Sequence, residues 1–349
     1  MPKPLIAMRP GVFLFARHGA NGEGARSGFG GYTCTMRLTE QILEILKDGA
    51  HHSGVELGAR LGVTRAAISK AVAEMAEIPV RVGRRGYRLP VTHRPLDAGR
   101  IRAIVDGYGA VLDDLQVLAE IDSTNRYLLQ AAGAARTACL AERQTAGRGR
   151  RGRSWIADPY CNILLSVAVR IRGGSRNLGA LSLAAGVAVH RALAESGITG
   201  VALKWPNDVL CAERKLAGIL TEVRGEAEAP RVVIGVGLNC HLSAATGACI
   251  DQPWASLDEQ RTVDRSALAG HLIAHLLRVV DEYERDGAAA VVAEWRTLHA
   301  YAGRAVTVAR EDGVVEATLV DVTDEGALIV RVDGKEQIVY SGEARLRPL

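Results

Sequence analysis

Beyond residue 110, short apolar runs alternate with long segments of helical periodicity, and this alternation restricts the fold more than any other feature. The strand candidates are Val117–Ile121, Ala138–Glu142, Ile163–Ile171, Val201–Trp205, Leu216–Val223 and Val232–Gly235. Two longer segments, Leu178–Glu195 and Ser266–Glu284, have the helical period, and Leu268, Leu272 and Leu276 form one stripe on the second. Strands interspersed with helices predict a mixed α/β domain built around a sheet. From Gly303 onward the helical period disappears. Ala305–Val308, Glu316–Val320, Ala327–Val332 and Gln337–Tyr340 read as short strands with glycine-containing turns between most of them. They predict a small all-β barrel or sandwich.

The N-terminal part reads differently. Residues 1–36 are rich in Gly and Arg and show no period, so a disordered N-terminal extension is expected. Met36 stands directly before the first periodic segment, and translation is expected to start there naturally. Leu38, Ile42, Ile45 and Leu46 lie at helical spacing. Ser53-Gly54-Val55-Glu56 is a capping-box signature ahead of Leu57 and Leu61. Gly62-Val63 makes a short turn, and Thr64 can cap a third helix that buries Ile68, Val72 and Met75. Two short helices joined by a tight turn are a helix-turn-helix pattern. Val80-Arg81-Val82 and Tyr87-Arg88-Leu89 then alternate like strands around Gly83-Arg84-Arg85-Gly86, forming a wing with four arginines and no acid. Such a module puts a helix end into a major groove while basic side chains reach phosphates. Thr64, Arg65, Ser69, Lys70, Arg84 and Arg85 are the expected DNA contacts of a winged helix-turn-helix domain over 37–92. A small helical domain with a solvated basic face is the alternative. Pro90 to Arg100 reads as a linker.

The net charge is only +4 over 349 residues, so local clustering carries more information than the total. The six cysteines are scattered without CxxC spacing, which writes neither a zinc site nor a disulfide framework. A reducing cytoplasm fits, and no metal site of the chain's own is expected. No apolar run reaches the roughly 20 residues that span a bilayer, so no membrane partner is expected. The short patch from Val12 to Phe15 is flanked by Arg9 and Arg17 and is too short for a signal-peptide core.

The stretch Gly147-Arg148-Gly149-Arg150-Arg151-Gly152-Arg153-Ser154-Trp155 sets four arginines among three glycines between two strand candidates. Glycine lets backbone approach a ligand closely, and arginine keeps its charge when desolvated and grips phosphates and carboxylates in two-pronged fashion. The pattern suits a mobile loop over an anionic ligand; a solvated basic turn is the plainer reading. Lys204-Trp205-Pro206-Asn207-Asp208 ends a strand, and Lys204 and Lys215 both adjoin strongly apolar stretches. A lysine there needs an anionic partner, in a structural ion pair or in a polyphosphate or carboxylate site. Gly235-Val236-Gly237-Leu238-Asn239 lacks the third glycine of a dinucleotide fingerprint and an obvious following helix, which excludes a Rossmann site.

Taken in order, Ser123-Thr124-Asn125, Gln144 to Gly147 running into the arginine loop, Lys204 to Asp208, Lys215 to Leu220 and Gly235 to Asn239 resemble the biotin–protein ligase family over roughly 110–349. The N-terminal module resembles that of the bifunctional members, which also repress biotin synthesis genes. The resemblance implies an α+β multidomain chain: a winged helix-turn-helix over 37–92, a catalytic domain related to class II aminoacyl-tRNA synthetases over 93–302, and an SH3-like β domain over 303–349. It implies a two-step reaction, in which biotin and ATP give biotinyl-5′-adenylate and a lysine of a biotin carboxyl carrier protein then takes the biotin. Mg²⁺ accompanies ATP. The implied biotin contacts are Ser123, Thr124, Asn125, Gln144, Gly147, Arg148, Gly149, Arg150, Lys215, Gly218, Gly235 and Gly237. Arg150, Arg151, Arg153, Trp155, Asn207, Asp208 and Asn239 line the implied ATP side, with Trp155 facing adenine. Lys215, Arg150 and Arg148 are the implied catalytic cations. Operator DNA and a homodimer in the adenylate-bound state complete the expectation. A non-catalytic biotin-sensing repressor and a lipoate–protein ligase are the rival readings. Lys215 speaks against the first, and the arginine-rich loop fits the second poorly.

Overall fold

The computed structural model describes residues 37–75, 78–131, 134–171, 179–225, 230–310, 313–340 and 345–348. The extension expected over 1–36, Met36 included, and Leu178 lie outside these residues. The N-terminal unit contains α1 (Leu38–Leu46), α2 (Gly54–Leu61), α3 (Arg65–Glu74) and a hairpin of β1 (Arg81–Gly83) and β2 (Gly86–Arg88). Its caps follow the sequence. Ser53 Oγ accepts the Glu56 N–H at 3.0 Å, and Thr64 Oγ1 accepts that of Ala67 at 3.2 Å. Gly62 ends α2 in the left-handed conformation, with φ +68°. Only half of the capping box forms, because the Glu56 carboxylate bonds His52 Nδ1 at 2.9 Å. Ile42, Leu46, Leu57, Ile68 and Leu89 close a small separate core.

The segment read as a linker is partly ordered. It holds a 3-10 turn at Val91–His93 and the start of α4 (Ala98–Gly107), capped where Asp97 Oδ1 accepts the Arg100 N–H at 2.9 Å. The central unit is a seven-stranded sheet in the order β3-β4-β5-β9-β8-β7-β6. Its strands are β3 (Asp114–Ile121), β4 (Thr137–Gln144), β5 (Ile163–Arg170), β6 (Val201–Lys204), β7 (Asp208–Cys211), β8 (Arg214–Arg224) and β9 (Arg231–Leu238). Among the described residues of this sheet, β3–β4 is the one parallel strand pair. Its helices are α5 (Thr124–Gln130), α6 (Leu181–Glu195), the single turn α7 (Ala244–Gly247), α8 (Arg265–Asp286) and α9 (Ala288–Thr297).

Alternation along the strands sorts the side chains between two faces. Val117, Leu140, Val167 and Ile234 pack with apolar residues of α4, α6, α8 and α9 in the main core. Leu118, Cys139, Ala168 and Val233 face the other way and receive Leu128 of α5. The rest of that second face is left to the candidate site.

The C-terminal unit is an antiparallel sheet of β10 (Ala305–Arg310), β11 (Gly313–Val322), β12 (Leu328–Val332), β13 (Lys335–Val339) and β14 (Arg345–Pro348), in the order β13-β12-β11-β10-β14. Val306, Leu319 and Leu328 join the main core, so this sheet packs directly on the central unit. The buried Trp205 indole N–H donates to Gly326 O at 3.0 Å across the junction.

Candidate active site

The floor of the site is set by strand register. Leu164, Gly237, Gly218 and Asp208 form one row across β5, β9, β8 and β7, with Lys204 of β6 at its end. Ser166, Gly235 and Leu220 form a parallel row. A cavity of about 440 Å³ lies over these rows. Lys215 reaches it through a break in pairing. Val209 pairs with Ala217, but the next residue, Leu210, pairs with Lys215. This bulge re-aims Lys215 onto the side of Gly218, which strict alternation would deny it. Its Nζ lies 2.7 Å from Asp208 Oδ1.

One wall is the start of α5. Ser123 Oγ accepts the Arg126 N–H at 3.4 Å. Thr124 approaches Gln144 Oε1 with its backbone N–H at 2.8 Å and its hydroxyl at 3.1 Å. Asn125 Nδ2 donates to Leu220 O at 3.1 Å and Glu222 Oε2 at 2.9 Å. Ser166 Oγ lies 2.7 Å from Thr124 Oγ1 and 2.5 Å from Asn125 Oδ1. The other end of the short helix is held by arginines from the sheet. Arg231 Nε donates to Leu128 O at 3.0 Å, and Arg224 Nη1 donates to Leu129 O at 2.7 Å. Cations bonded to the last carbonyls are the favourable sign for a helix C-terminus.

The arginine loop folds as a compact hairpin. The Trp155 N–H donates to Gly147 O at 3.0 Å, and the Gly149 N–H donates to Arg153 O at 2.7 Å. Its tip turns through Arg151 and Gly152, both left-handed at φ 56° and 73°. Arg148 Nη1 lies 3.0 Å from Glu222 Oε1, and Arg150 Nη1 is 3.5 Å from Asn207 Oδ1. Burial, reinforced by the like charge of Arg151, draws the Arg150 guanidinium pKa below its ordinary value, with Asp208 opposing the shift. A cation in that setting gains from an arriving anion.

The glycines make room for the chain's own side chains. A Cβ on Gly237 would lie 2.4 Å from the Trp155 ring, and one on Gly218 would lie 2.9 Å from it. A Cβ on Gly235 would lie 2.2 Å from Asn125 Oδ1. Trp155, expected to face adenine, thus rests on the β8–β9 floor. Its buried indole N–H has no hydrogen-bond partner among the described residues.

The structure brings together Ser123, Thr124, Asn125, Gln144, Arg148, Gly149, Arg150, Arg151, Arg153, Trp155, Asn207, Asp208, Lys215, Gly218, Gly235 and Gly237 around the cavity. Gly147 and Asn239 do not line it. Gly147 sits beneath the loop, where a Cβ would meet Trp155 O at 2.6 Å. Asn239, expected on the ATP side, is a buried brace whose Nδ2 donates to Ala255 O at 3.1 Å and to Lys215 O at 3.5 Å. Thr64, Arg65, Ser69, Lys70, Arg84 and Arg85 are all exposed on the N-terminal unit. Sequence reasoning passed over Ser166 and Glu222. Ser166 interrupts the apolar run of β5, and that interruption was the available signal; Glu222, beside Thr221 at the polar end of β8, offered none. Among the described residues, no group of three or more His, Cys, Asp or Glu side chains is placed to hold a metal ion.

The cavity therefore has an uncharged hydrogen-bonding end and a strongly cationic end. Such a lining belongs to the class of pockets that take a small ligand of mixed polarity. Comparison with known proteins narrows this class. The Biotin/lipoate A/B protein ligase family model matches residues 117–239, and the biotin protein ligase C-terminal domain model matches 301–347. The Bifunctional ligase/repressor BirA of Salmonella typhimurium is 37% identical over 320 residues, covering 90% of this chain and 98% of that protein. The Biotin--[acetyl-CoA-carboxylase] ligase of Mycobacterium tuberculosis is 36% identical, covering 71% of this chain and 95% of its own length. The solved biotin protein ligase from Aquifex aeolicus in complex with biotin and ATP superposes with a TM-score of 0.59 at 25% identity, covering 68% of this chain and 100% of that one. The chain belongs to the biotin–protein ligase family.

Proposed function

We propose that the chain is an ATP-dependent biotin–protein ligase that performs both steps in this cavity. The observation that carries the reading is the meeting of the Thr124–Gln144 wall with Arg148, Arg150 and Lys215 over one glycine floor. Ser123, Thr124, Asn125 and Gln144 hold the uncharged ureido head. Arg148, Arg150 and Lys215 draw the biotin carboxylate and the α-phosphate together despite their like charge. A carboxylate oxygen attacks the α-phosphorus, the bond to the β-phosphate breaks, and pyrophosphate leaves. In the second step a deprotonated lysine amine of the acceptor attacks the acyl carbon of biotinyl-5′-adenylate; the C–N bond forms, the acyl C–O bond to AMP breaks, and the amine gives up one proton to solvent as AMP leaves. Lys215, held by Asp208 at 2.7 Å, exchanges this partner for the charge developing on the reacting groups. Arg151, Arg153, Asn207 and Asp208 flank the nucleotide. The Trp155 N–H, without a hydrogen-bond partner among the described residues, supplies a donor for a substrate acceptor.

Asp208, Glu213 and Asp251 line the cavity and offer hard oxygen donors. One or two of them would suffice for Mg²⁺, which takes one or two carboxylates and completes its shell with phosphates and water. Bound there, it would neutralise phosphate charge.

The relatives' names and the geometry support the remaining assignments. The unit at 37–92 is a winged helix-turn-helix that binds operator DNA, 93–302 is the ligase domain, and 303–349 is an SH3-like β domain. The acceptor is a biotin carboxyl carrier protein. The adenylate-bound form is a homodimer. The five described cysteines are all free, in keeping with a reducing cytoplasm. No helix of the described residues is long and apolar enough to cross a membrane. The test is exchange of labelled pyrophosphate into ATP, with biotin or lipoate as the acid. Biotin-dependent exchange is expected, and exchange with lipoate alone would overturn the assignment. A gel shift with biotin and ATP present tests the repressor half, which falls if no sequence preference appears.

A further inference from the structure

We propose that Glu222 and Ser166 are positioning residues that set the hydrogen-bond polarity of the head-group wall, and that Glu222 also holds the arginine loop through Arg148. The inference rests on the ligase reading above and concerns residues that reading did not use.

The protons available along the wall fix its polarity. Asn125 faces Leu220 O at 3.1 Å and Glu222 Oε2 at 2.9 Å. Both of these only accept, so the Asn125 amide nitrogen must face them and spends both its protons there. Its Oδ1 is thereby turned to Ser166, 2.5 Å away. An amide oxygen also only accepts, so the single Ser166 hydroxyl proton goes to Asn125. Ser166 Oγ is then left as an acceptor toward Thr124 Oγ1 at 2.7 Å. The other neighbour of the Thr124 hydroxyl, Gln144 Oε1 at 3.1 Å, also accepts. The Thr124 proton is committed within the wall, and an Oγ1 lone pair remains for the cavity. The Glu222 carboxylate, together with the Leu220 carbonyl, thus orients every polar group up to Thr124. A wall set this way selects a ligand head that presents an N–H to it.

The second Glu222 oxygen lies 3.0 Å from Arg148 Nη1, next to the start of the loop. The Glu222 side chain is 20% exposed and that of Arg148 40%, so the pair is shielded from solvent on the carboxylate side only. One carboxylate therefore couples the order of the wall to the seating of the loop.

Two variants separate the effects. In Glu222→Gln one carboxylate oxygen becomes an N–H₂ group, which opposes a donor on Asn125 or Arg148. We expect the KM for biotin to rise at least about tenfold, the equivalent of one lost hydrogen bond of about 1.4 kcal/mol. The KM for ATP should stay near wild type, and trypsin should cleave at the loop arginines faster. Ser166→Ala interrupts the chain without touching Arg148. It should raise the biotin KM and leave the trypsin rate unchanged. Wild-type biotin KM and trypsin rate in Glu222→Gln would overturn the proposal. So would equal increases in both KM values with a lowered melting temperature, the mark of a merely structural role. If Glu222→Gln fails to fold, Ser166→Ala with an unaltered biotin KM overturns the polarity argument. If the wild-type protein shows no biotin-dependent exchange, the ligase reading falls separately, and the trypsin comparison still decides whether Glu222 holds the loop.

Discussion

Lys215 shows what a single residue owes to its strand. Its chemistry is plain from an apolar setting next to Leu216, but its direction is not, because the bulge that turns it toward Asp208 is a property of pairing with β7. Replacing Lys215 with Met keeps the apolar stem and removes the charge. Adenylate formation is expected to fall by about 10²–10³-fold, the usual loss for one fixed charge-stabilising group. Pyrophosphate exchange measures it, and a near-normal rate would make the lysine structural. Gly237 makes a second case. A methyl group there would stand 2.4 Å from the Trp155 ring, so Gly237→Ala must displace the indole. A cost of about 1–3 kcal/mol is expected, with shifted tryptophan emission and faster trypsin cleavage of the loop. The sequence shows that these glycines need space. It does not show that Trp155 and Asn125 take it, since side chains distant in sequence fill it.

At the scale of elements, legibility followed length and period. The long helices α6 and α8 and most of the strands are readable because they repeat an apolar period. The helix α5 has seven residues, and its stability comes from Ser123 at one end and from Arg224 and Arg231 on distant strands at the other. The strand β7 has four residues and follows too closely on the Lys204–Asp208 motif to show alternation. The helices α4 and α9 have ten residues each, which gives the apolar period fewer than about three turns in which to show. Histidines divide these elements by pH. Burial draws the His52 pKa down, but hydrogen bonds to Glu56 and Asp48 outweigh it and raise the pKa above its ordinary value. A raised folded-state pKa gives stability that is complete below about pH 6.5 and fades as pH rises through the folded value. Burial, followed by the nearby His241 charge, pushes His93 down to about 4, and burial pushes His299 to about 4 as well. Their contribution is present above about pH 6.5 and is lost as pH falls toward 4. Amide exchange in α1–α3 should therefore quicken from pH 6 to 8, after correction for intrinsic rates, and His52→Gln should abolish the change. Tryptophan emission, which arises only outside the N-terminal unit, should report a lower melting temperature at pH 5 than at pH 7.

Across the whole molecule, one buried ion pair gathers several segments. Arg265 of α8 reaches Glu142 of β4 at 2.9 Å, and both side chains are 3% exposed. The same guanidinium donates to Arg94 O and Asn162 O, each at 2.7 Å, while the Glu142 carboxylate accepts the Leu96 N–H. The connection from the N-terminal unit is thereby fastened to the sheet. Arg265→Met strands the Glu142 charge and is expected to cost about 3–5 kcal/mol in urea unfolding of the full chain. Tyr160, five residues past the arginine loop, packs against the N-terminal core while its N–H bonds Glu142 O at 3.1 Å. The Trp205 indole N–H, bonded to Gly326 O, has a consequence in time. A ribosome emits the chain from the N-terminus and domains tend to fold as they emerge. The far end of β6 waits more than a hundred residues for its acceptor, and Tyr301, which lines the cavity, also arrives late. A nascent chain can display its helical N-terminal unit well before the wall around Lys204 is secured, so premature termination would leave that unit without a finished cavity.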